Sequence, residues 1–208
     1  MKIIEPSYYI FPILGGESIL LLLELAGRTC YKSEEQITDD SSKKFITMLV
    51  ERGHEAIIEH FNVTVRFICN RGFTHELVRH RLCSYAQEST RYCNYSKDKY
   101  GSEITFIKPP NFDNWNNIAK SCWMNGMENA EMNYLEMIRV NCKPQEARGV
   151  LPIDVKTEII ITANLREWRH IFKLRTSSKA HPSMQQLMRP LLHEFKEKIP
   201  VVFDNINY

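Results

Sequence analysis

The stretch DVKTEIIITANLREWRHIFKLR, residues 154–175, joins two kinds of segment with no spacer between them. Residues 154–165 are rich in β-branched side chains, whose restricted χ1 suits a pleated surface, and they predict a strand. Residues 166–175 predict a helix. Working outward, FNVTVRFI at residues 61–68 alternates apolar and polar positions, the pattern of a half-buried strand. EITFI at 103–107 predicts a short strand stopped by Pro109 and Pro110, and residues 2–5 can form an edge strand. GESILLLLELAG at 16–27 has a polar start, strong helix formers and a terminal glycine, which predict a helix. DSSKKFITMLVERG at 40–53 repeats that design, with Asp40 or Ser41 as N-cap and Gly53 at the far end. Trp115, Ile118, Trp123, Met127, Tyr134 and Met137 mark a long amphipathic helix over 113–141, and 183–198 predicts a last helix. Strands separated by unequal blocks of helix imply α+β or mixed α/β architecture rather than regular βαβ winding. With no repeat, low-complexity tract or Pro/Gly/Ser-rich linker, residues 1–208 read as a single domain.

Composition narrows the function. The chain has 208 residues, 43% hydrophobic and 25% charged, with a net charge of +2. That balance creates no global field for polyanions, so any anion site must be local and built from clustered arginines. The six cysteines (Cys30, Cys69, Cys83, Cys93, Cys122 and Cys142) form no CxxC pair, and no secretory leader pattern opens the chain. Buried free thiols in a reducing cytoplasm are expected. The apolar run at residues 19–23 is too short for a bilayer, so no membrane association is expected.

The densest chemistry lies in RHRLCSYAQESTRY, residues 79–92. It follows a short helix ending in HELV and is expected to run into a polar loop. Arg79, Arg81 and Arg91 offer planar forks matched to phosphate. Ser84, Ser89, Thr90 and loop N–H groups can complete an oxyanion cradle. A lone Arg-His-Arg would read as a solvated basic helix end complementing the dipole. The Gln-Glu-Ser-Thr-Arg that follows argues for a binding loop, because a solvated face has no need of that polar density.

Arg-His-Arg at 79–81, followed by seven residues and Ser89, resembles the motif of the flavin-dependent thymidylate synthases. GHEAIIEH at 53–60 is similar to that family's Gly-His-x-x-x-x-Glu-His element. ARGVLP at 147–152 resembles its Ala-Arg-x-x-Leu-Pro element. Asn164-Leu165-Arg166 and Leu174-Arg175 fall in the order the family has for its last flavin and nucleotide contacts. The resemblance spans residues 28–186 and implies a central, mostly antiparallel sheet flanked by helices. It implies methylation of dUMP to dTMP, with 5,10-methylenetetrahydrofolate as carbon donor and NADPH-reduced FAD as hydride source, releasing tetrahydrofolate. It also implies non-covalent FAD and a homotetramer with active sites shared between subunits, with no nucleic-acid partner. By the same resemblance His54, Arg79, His80, Arg81, Gln87, Asn164, Leu165, Arg166 and His170 contact flavin. Glu76, Arg79, Gln87, Glu88, Ser89, Thr90, Arg91, Arg148 and Arg175 contact dUMP, with Arg175 at the uracil edge as the catalytic group. Ala56, His75, Glu76 and His170 depart from the common pattern, where Ser or Thr, Arg, Gln and Asn are frequent.

Other readings of these residues are poorer. HEAIIEH at 54–60 is neither His-Glu-x-x-His nor His-x-x-Glu-His, so no metal is expected, and His60 reads as a histidine at a strand start. Cys83 could be activated by Arg79 and Arg81 as a nucleophile, but lacks a Pro-Cys-His context and reads as a structural thiol. Ser89 has no identifiable base or orienter, so phosphate binding is its simpler role. No Gly-x-Gly-x-x-Gly or Walker loop is present, so NADPH would bind without a Rossmann fingerprint. A nucleic-acid module using the arginine-rich loop and a metal-dependent phosphohydrolase remain as alternatives.

Overall fold

At two places in the chain an asparagine joins a strand directly to a helix. In this computed structural model, which describes residues 1–97 and 101–208, β3 (Asn62–Asn70) passes directly into α3 (Arg71–Leu77), and β6 (Lys156–Asn164) into α6 (Leu165–Arg175). The Asn70 side-chain oxygen accepts the Phe73 N–H at 2.8 Å, and Asn164 accepts that of Glu167 at 2.9 Å. Each side chain satisfies a donor that the first helical turn leaves without a partner, contributing about 1 kcal/mol. A strand therefore becomes a helix within one residue.

The other strands and α-helices among the described residues are β1 (Lys2–Ile4), β2 (Ser7–Ile10), α1 (Gly16–Thr29), α2 (Ser41–Glu51), β4 (Ser84–Gln87), β5 (Thr105–Ile107), α4 (Asn117–Arg139), α5 (Pro144–Ala147) and α7 (Pro182–Lys198). One sheet has the order β2-β3-β6-β4, and β1 pairs with β5 in a separate parallel pair. Thr64 and Thr162 share a 2.8 Å hydroxyl contact, and the Leu165 N–H donates to the Phe61 carbonyl at 3.1 Å. As one index falls the other rises, so β3 and β6 run antiparallel. This mixture of sheets and helices is the α+β class expected from the unequal spacing of elements.

By contacts, the chain groups into two compact units. The first comprises residues 1–7, 67–79 and 86–160. Its core gathers Tyr95, Ile104, Phe106, Met127, Tyr134, Ala147 and Val155. The Asp154 carboxylate accepts from the Asn70 amide at 2.8 Å and from the Trp123 indole N–H at 2.9 Å, tying α4 to the end of β3. The long helix begins at Asn117 rather than 113, because Asn116 caps it and Phe112–Asn114 forms a separate tight turn.

The second unit comprises residues 8–66, 80–85 and 161–208. Trp168, Phe172, Phe195 and Phe203 are fully buried, with Phe172 and Phe195 edge to face at 5.0 Å. Each such ring contributes about 2–3 kcal/mol through removal of apolar surface from water. The Trp168 indole donates to the Val63 carbonyl at 3.0 Å, fixing the rotation of α6 against β3. α1 and α2 approach closely at Gly27, where a Cβ would lie 2.6 Å from the Phe45 ring.

Three expectations are corrected. Residues 84–87 form strand β4 rather than loop, and residues 7–10 form a strand that periodicity does not reveal. All six cysteines are free, but only Cys69 is buried; Cys30 and Cys122 are exposed and the others are half-buried.

Candidate active site

In the second unit, the end of β6 and α6 carry one group of candidate residues. The capping turn at Asn164 starts α6, and helical spacing then sets Glu167, His170 and Arg175 along it. Arg175 Nε donates to His80 Nε2 at 3.0 Å, and His80 Nδ1 lies 3.4 Å from Glu167 Oε1. The His80 and His170 rings meet edge to face at 5.4 Å. His80 is buried, and burial first, then the charges of Arg175 and His170, depress its pKa to about 4. At neutral pH the ring is therefore neutral. Because a guanidinium only donates, Nε2 must carry the lone pair and Nδ1 the proton. With its proton on Nδ1, the ring presents that nitrogen 3.4 Å from Glu167 Oε1, and burial raises the Glu167 pKa. His80 belongs to the predicted arginine-rich segment, yet its contacts fix a tautomer and hold Arg175.

A groove on this unit has walls that include Glu59, Leu82, Asn164, Arg166, Glu167 and His170. It brings together Asn164, Arg166 and His170 as predicted. Arg166 is exposed and donates to Glu59 at 2.6 Å. Leu165 is fully buried, which leaves only its backbone to face a ligand. Leu82 stands 76% exposed on the groove wall, an apolar surface suited to covering a planar ring. His54 and Ala56 line a different cavity, beside Arg52 and Ile57. Arg81 is exposed. His80, Glu167 and His170 present ligand atoms within 4.8 Å of one another, a spacing open to a cation. The Nε2 of His80, however, already accepts from a permanent cation, Arg175.

Cys83 is half-buried, and burial pushes its thiol up to about 11. A thiol so raised is almost wholly protonated at neutral pH and is a poor nucleophile. Tyr85, beside it in sequence, donates its hydroxyl to the His80 carbonyl at 2.8 Å.

The first unit holds the remaining candidates. Gln87 ends β4 and its amide donates to the buried hydroxyls of Thr74 at 3.0 Å and Thr157 at 3.3 Å. Every polar group of Glu88 has a protein partner. Its N–H donates to the Glu158 carbonyl, and its own carbonyl accepts from Arg71. The carboxylate takes the Tyr95 hydroxyl at 2.7 Å and the Lys156 ammonium at 3.0 Å. Burial pulls the Lys156 ammonium down, but its bonds to Glu158 and Glu88 carry its pKa above the ordinary lysine value. Glu88 is thus an anchor for the loop that follows. In that loop the Ser89 carbonyl accepts the N–H groups of Tyr92 and Cys93, closing a turn. Thr90 is buried and accepts from Arg148 at 3.3 Å, and Arg148 itself is exposed. Arg91 is exposed over the Tyr92 ring at 5.3 Å. Arg79 is exposed, and its N–H donates to the Glu76 carbonyl at 3.3 Å. Sequence reasoning missed Glu167, Tyr95 and Lys156. Only Glu167 left a trace, three residues after Asn164, where an N-cap pattern suggests a capping role.

The class of the protein comes from comparison with known proteins. Residues 19–201 match the family described as thymidylate synthase complementing protein. The chain is 33% identical over 178 residues to the flavin-dependent thymidylate synthase of Pyrococcus furiosus, covering 85% of this chain and 72% of that one. It is 32% identical to the protein of that name from Clostridium tetani, covering 86% and 78%, and 29% identical to that from Corynebacterium aurimucosum, covering 93% and 82%. The chain belongs to the thymidylate synthase complementing protein family and is an enzyme.

Proposed function

We propose that this protein methylates dUMP to dTMP, using 5,10-methylenetetrahydrofolate as carbon donor and NADPH as reductant of a non-covalent FAD. The observation that carries the nucleotide assignment is the loop after Glu88. Its anchor spends every polar group internally, while Ser89, Arg91 and Arg148 remain at the surface of a closed turn. A rigid turn with exposed guanidinium forks loses little entropy on taking a phosphate. Arg79, Ser89, Arg91 and Arg148 anchor the nucleotide in this reading, with Gln87 and Glu88 holding the loop in place. Glu76 and Thr90 also belong to the nucleotide set, Thr90 by steadying Arg148.

Flavin fits the second unit's groove by the chemistry of its walls. Leu82 supplies apolar cover, while Asn164, Arg166 and His170 supply polar groups for a heterocycle's edge. His54, Arg79, His80, Arg81, Gln87 and the Leu165 backbone complete the proposed flavin contacts. Bound flavin supplies the hydride, so the folate leaves as tetrahydrofolate. The chain positions the two ring systems and stabilises charge. Arg175 activates the pyrimidine, because a fixed cation beside the uracil edge stabilises a deprotonated or enolate-like ring. Cys83, held protonated, takes no part.

The proposed enzyme is one catalytic domain over residues 1–208, acts in the cytoplasm and assembles as a homotetramer with shared sites. No helix among the described residues is long and apolar enough to cross a membrane. One spectrum tests the reading. Purified protein should show oxidised-flavin absorbance that bleaches with NADPH, and then support dUMP-dependent formation of dTMP. Protein that takes up no FAD on reconstitution overturns it.

A further inference from the structure

Glu167 is buried at the first turn of α6, where solvent would serve a carboxylate far better. Its Oε1 faces His80 Nδ1 at 3.4 Å, and on the far side of that ring Nε2 accepts from Arg175 at 3.0 Å. The three side chains form a line from carboxylate through imidazole to guanidinium. An imidazole has two neutral tautomers, and only the Nδ1–H form leaves a lone pair on Nε2 for the arginine. In the other tautomer an N–H would point at the Arg175 N–H, replacing attraction by repulsion. An acceptor on the Nδ1 side therefore favours the tautomer that holds Arg175. The Tyr85 hydroxyl, bonded to the His80 carbonyl at 2.8 Å, holds the backbone of the same residue and leaves the ring orientation to Glu167.

We propose that Glu167 is a positioning residue for Arg175, acting through His80 by holding its ring in the Nδ1–H tautomer. The role of Arg175 it serves rests on the pyrimidine-activating assignment above, but the tautomer itself does not. The buried carboxylate needs only to accept a hydrogen bond, so an amide in its place can do the same through its oxygen. Charge is dispensable and acceptor geometry is not.

The test uses the full chain with ¹⁵N-histidine labelling, the His80 signal being assigned by its loss in a His80→Gln variant. At neutral pH the wild type should report the Nδ1–H tautomer, and Glu167→Gln should preserve it. Glu167→Ala should shift His80 toward the Nε2–H form. Turnover should follow: displacing a guanidinium by roughly 1 Å costs about 100-fold. The loss should appear in kcat, while Glu167→Gln stays within a few-fold of wild type and both variants keep bound flavin. Should Glu167→Ala not fold, Glu167→Met, of similar length and without an acceptor, replaces it. An unchanged His80 tautomer in the acceptor-free variant overturns the proposal, as does a Glu167→Gln variant as impaired as Glu167→Ala. If the wild type makes no dTMP, the functional reading fails while the tautomer measurement still decides the role of Glu167.

Discussion

Acidification should expose the cost of keeping His80 neutral. A histidine has an unfolded pKa near 6.5, and burial first, then the electrostatic influence of Arg175 and His170, lowers that of His80 to about 4. Between those values the unfolded chain binds more protons than the folded one, so stability falls as pH falls. The stabilising difference is present above about pH 6.5 and is lost progressively toward pH 4. Linkage with these two values gives a loss of about 2 kcal/mol between pH 7 and pH 5. Glu167 works in the opposite direction, since its raised pKa lets the folded state take up a proton as pH drops. The measurement is therefore a difference: urea unfolding at pH 7 and pH 5 for wild type, His80→Gln and Glu167→Gln. Wild type and Glu167→Gln should both lose stability, the latter by more, and His80→Gln should lose about 2 kcal/mol less than wild type. Parallel pH dependences for wild type and His80→Gln would show that His80 does not titrate at a depressed pKa. The tautomer argument would then lose its support.

Two further outcomes follow from the same geometry. Arg175→Ala should reduce dTMP formation by at least about 100-fold while flavin absorbance stays close to wild type; near-normal turnover removes Arg175 from its role. Cys83→Ala should leave turnover unchanged, because a thiol pushed up to about 11 is not the nucleophile; an inactive variant that still binds flavin would reinstate a thiol mechanism.

Much of the architecture was legible because helices and central strands bury one face each, and burial leaves a period in the sequence. β6 alternates buried and half-buried positions along its whole length. β4 escaped notice for the converse reason: SYAQ has no buried residue, and its strand character comes from backbone pairing with β6 rather than from side-chain pattern. β2 is too short for alternation to register. The two asparagine caps were readable in principle, since a strand pattern running into Asn and then into a helical period leaves the first turn's donors to that side chain.

The sequence alone determined the inventory of the candidate site: an oxyanion-binding segment at 79–91, a second arginine after Ala147, and a polar strand end at Asn164. Order along the chain sufficed for the family resemblance. Tertiary structure decided how those groups are spent. Glu88 and Gln87 read as ligand contacts in sequence; in the structure Tyr95 and Lys156 take the Glu88 carboxylate, and the Gln87 amide nitrogen donates to Thr74 and Thr157. Arg148 is tethered by one buried hydroxyl and still presented. The proton state of His80 also belongs to the fold, because it depends on desolvation and on Arg175, 95 residues away along the chain. A sequence names donors and acceptors, whereas pairing and exclusion of water arise only when distant segments meet.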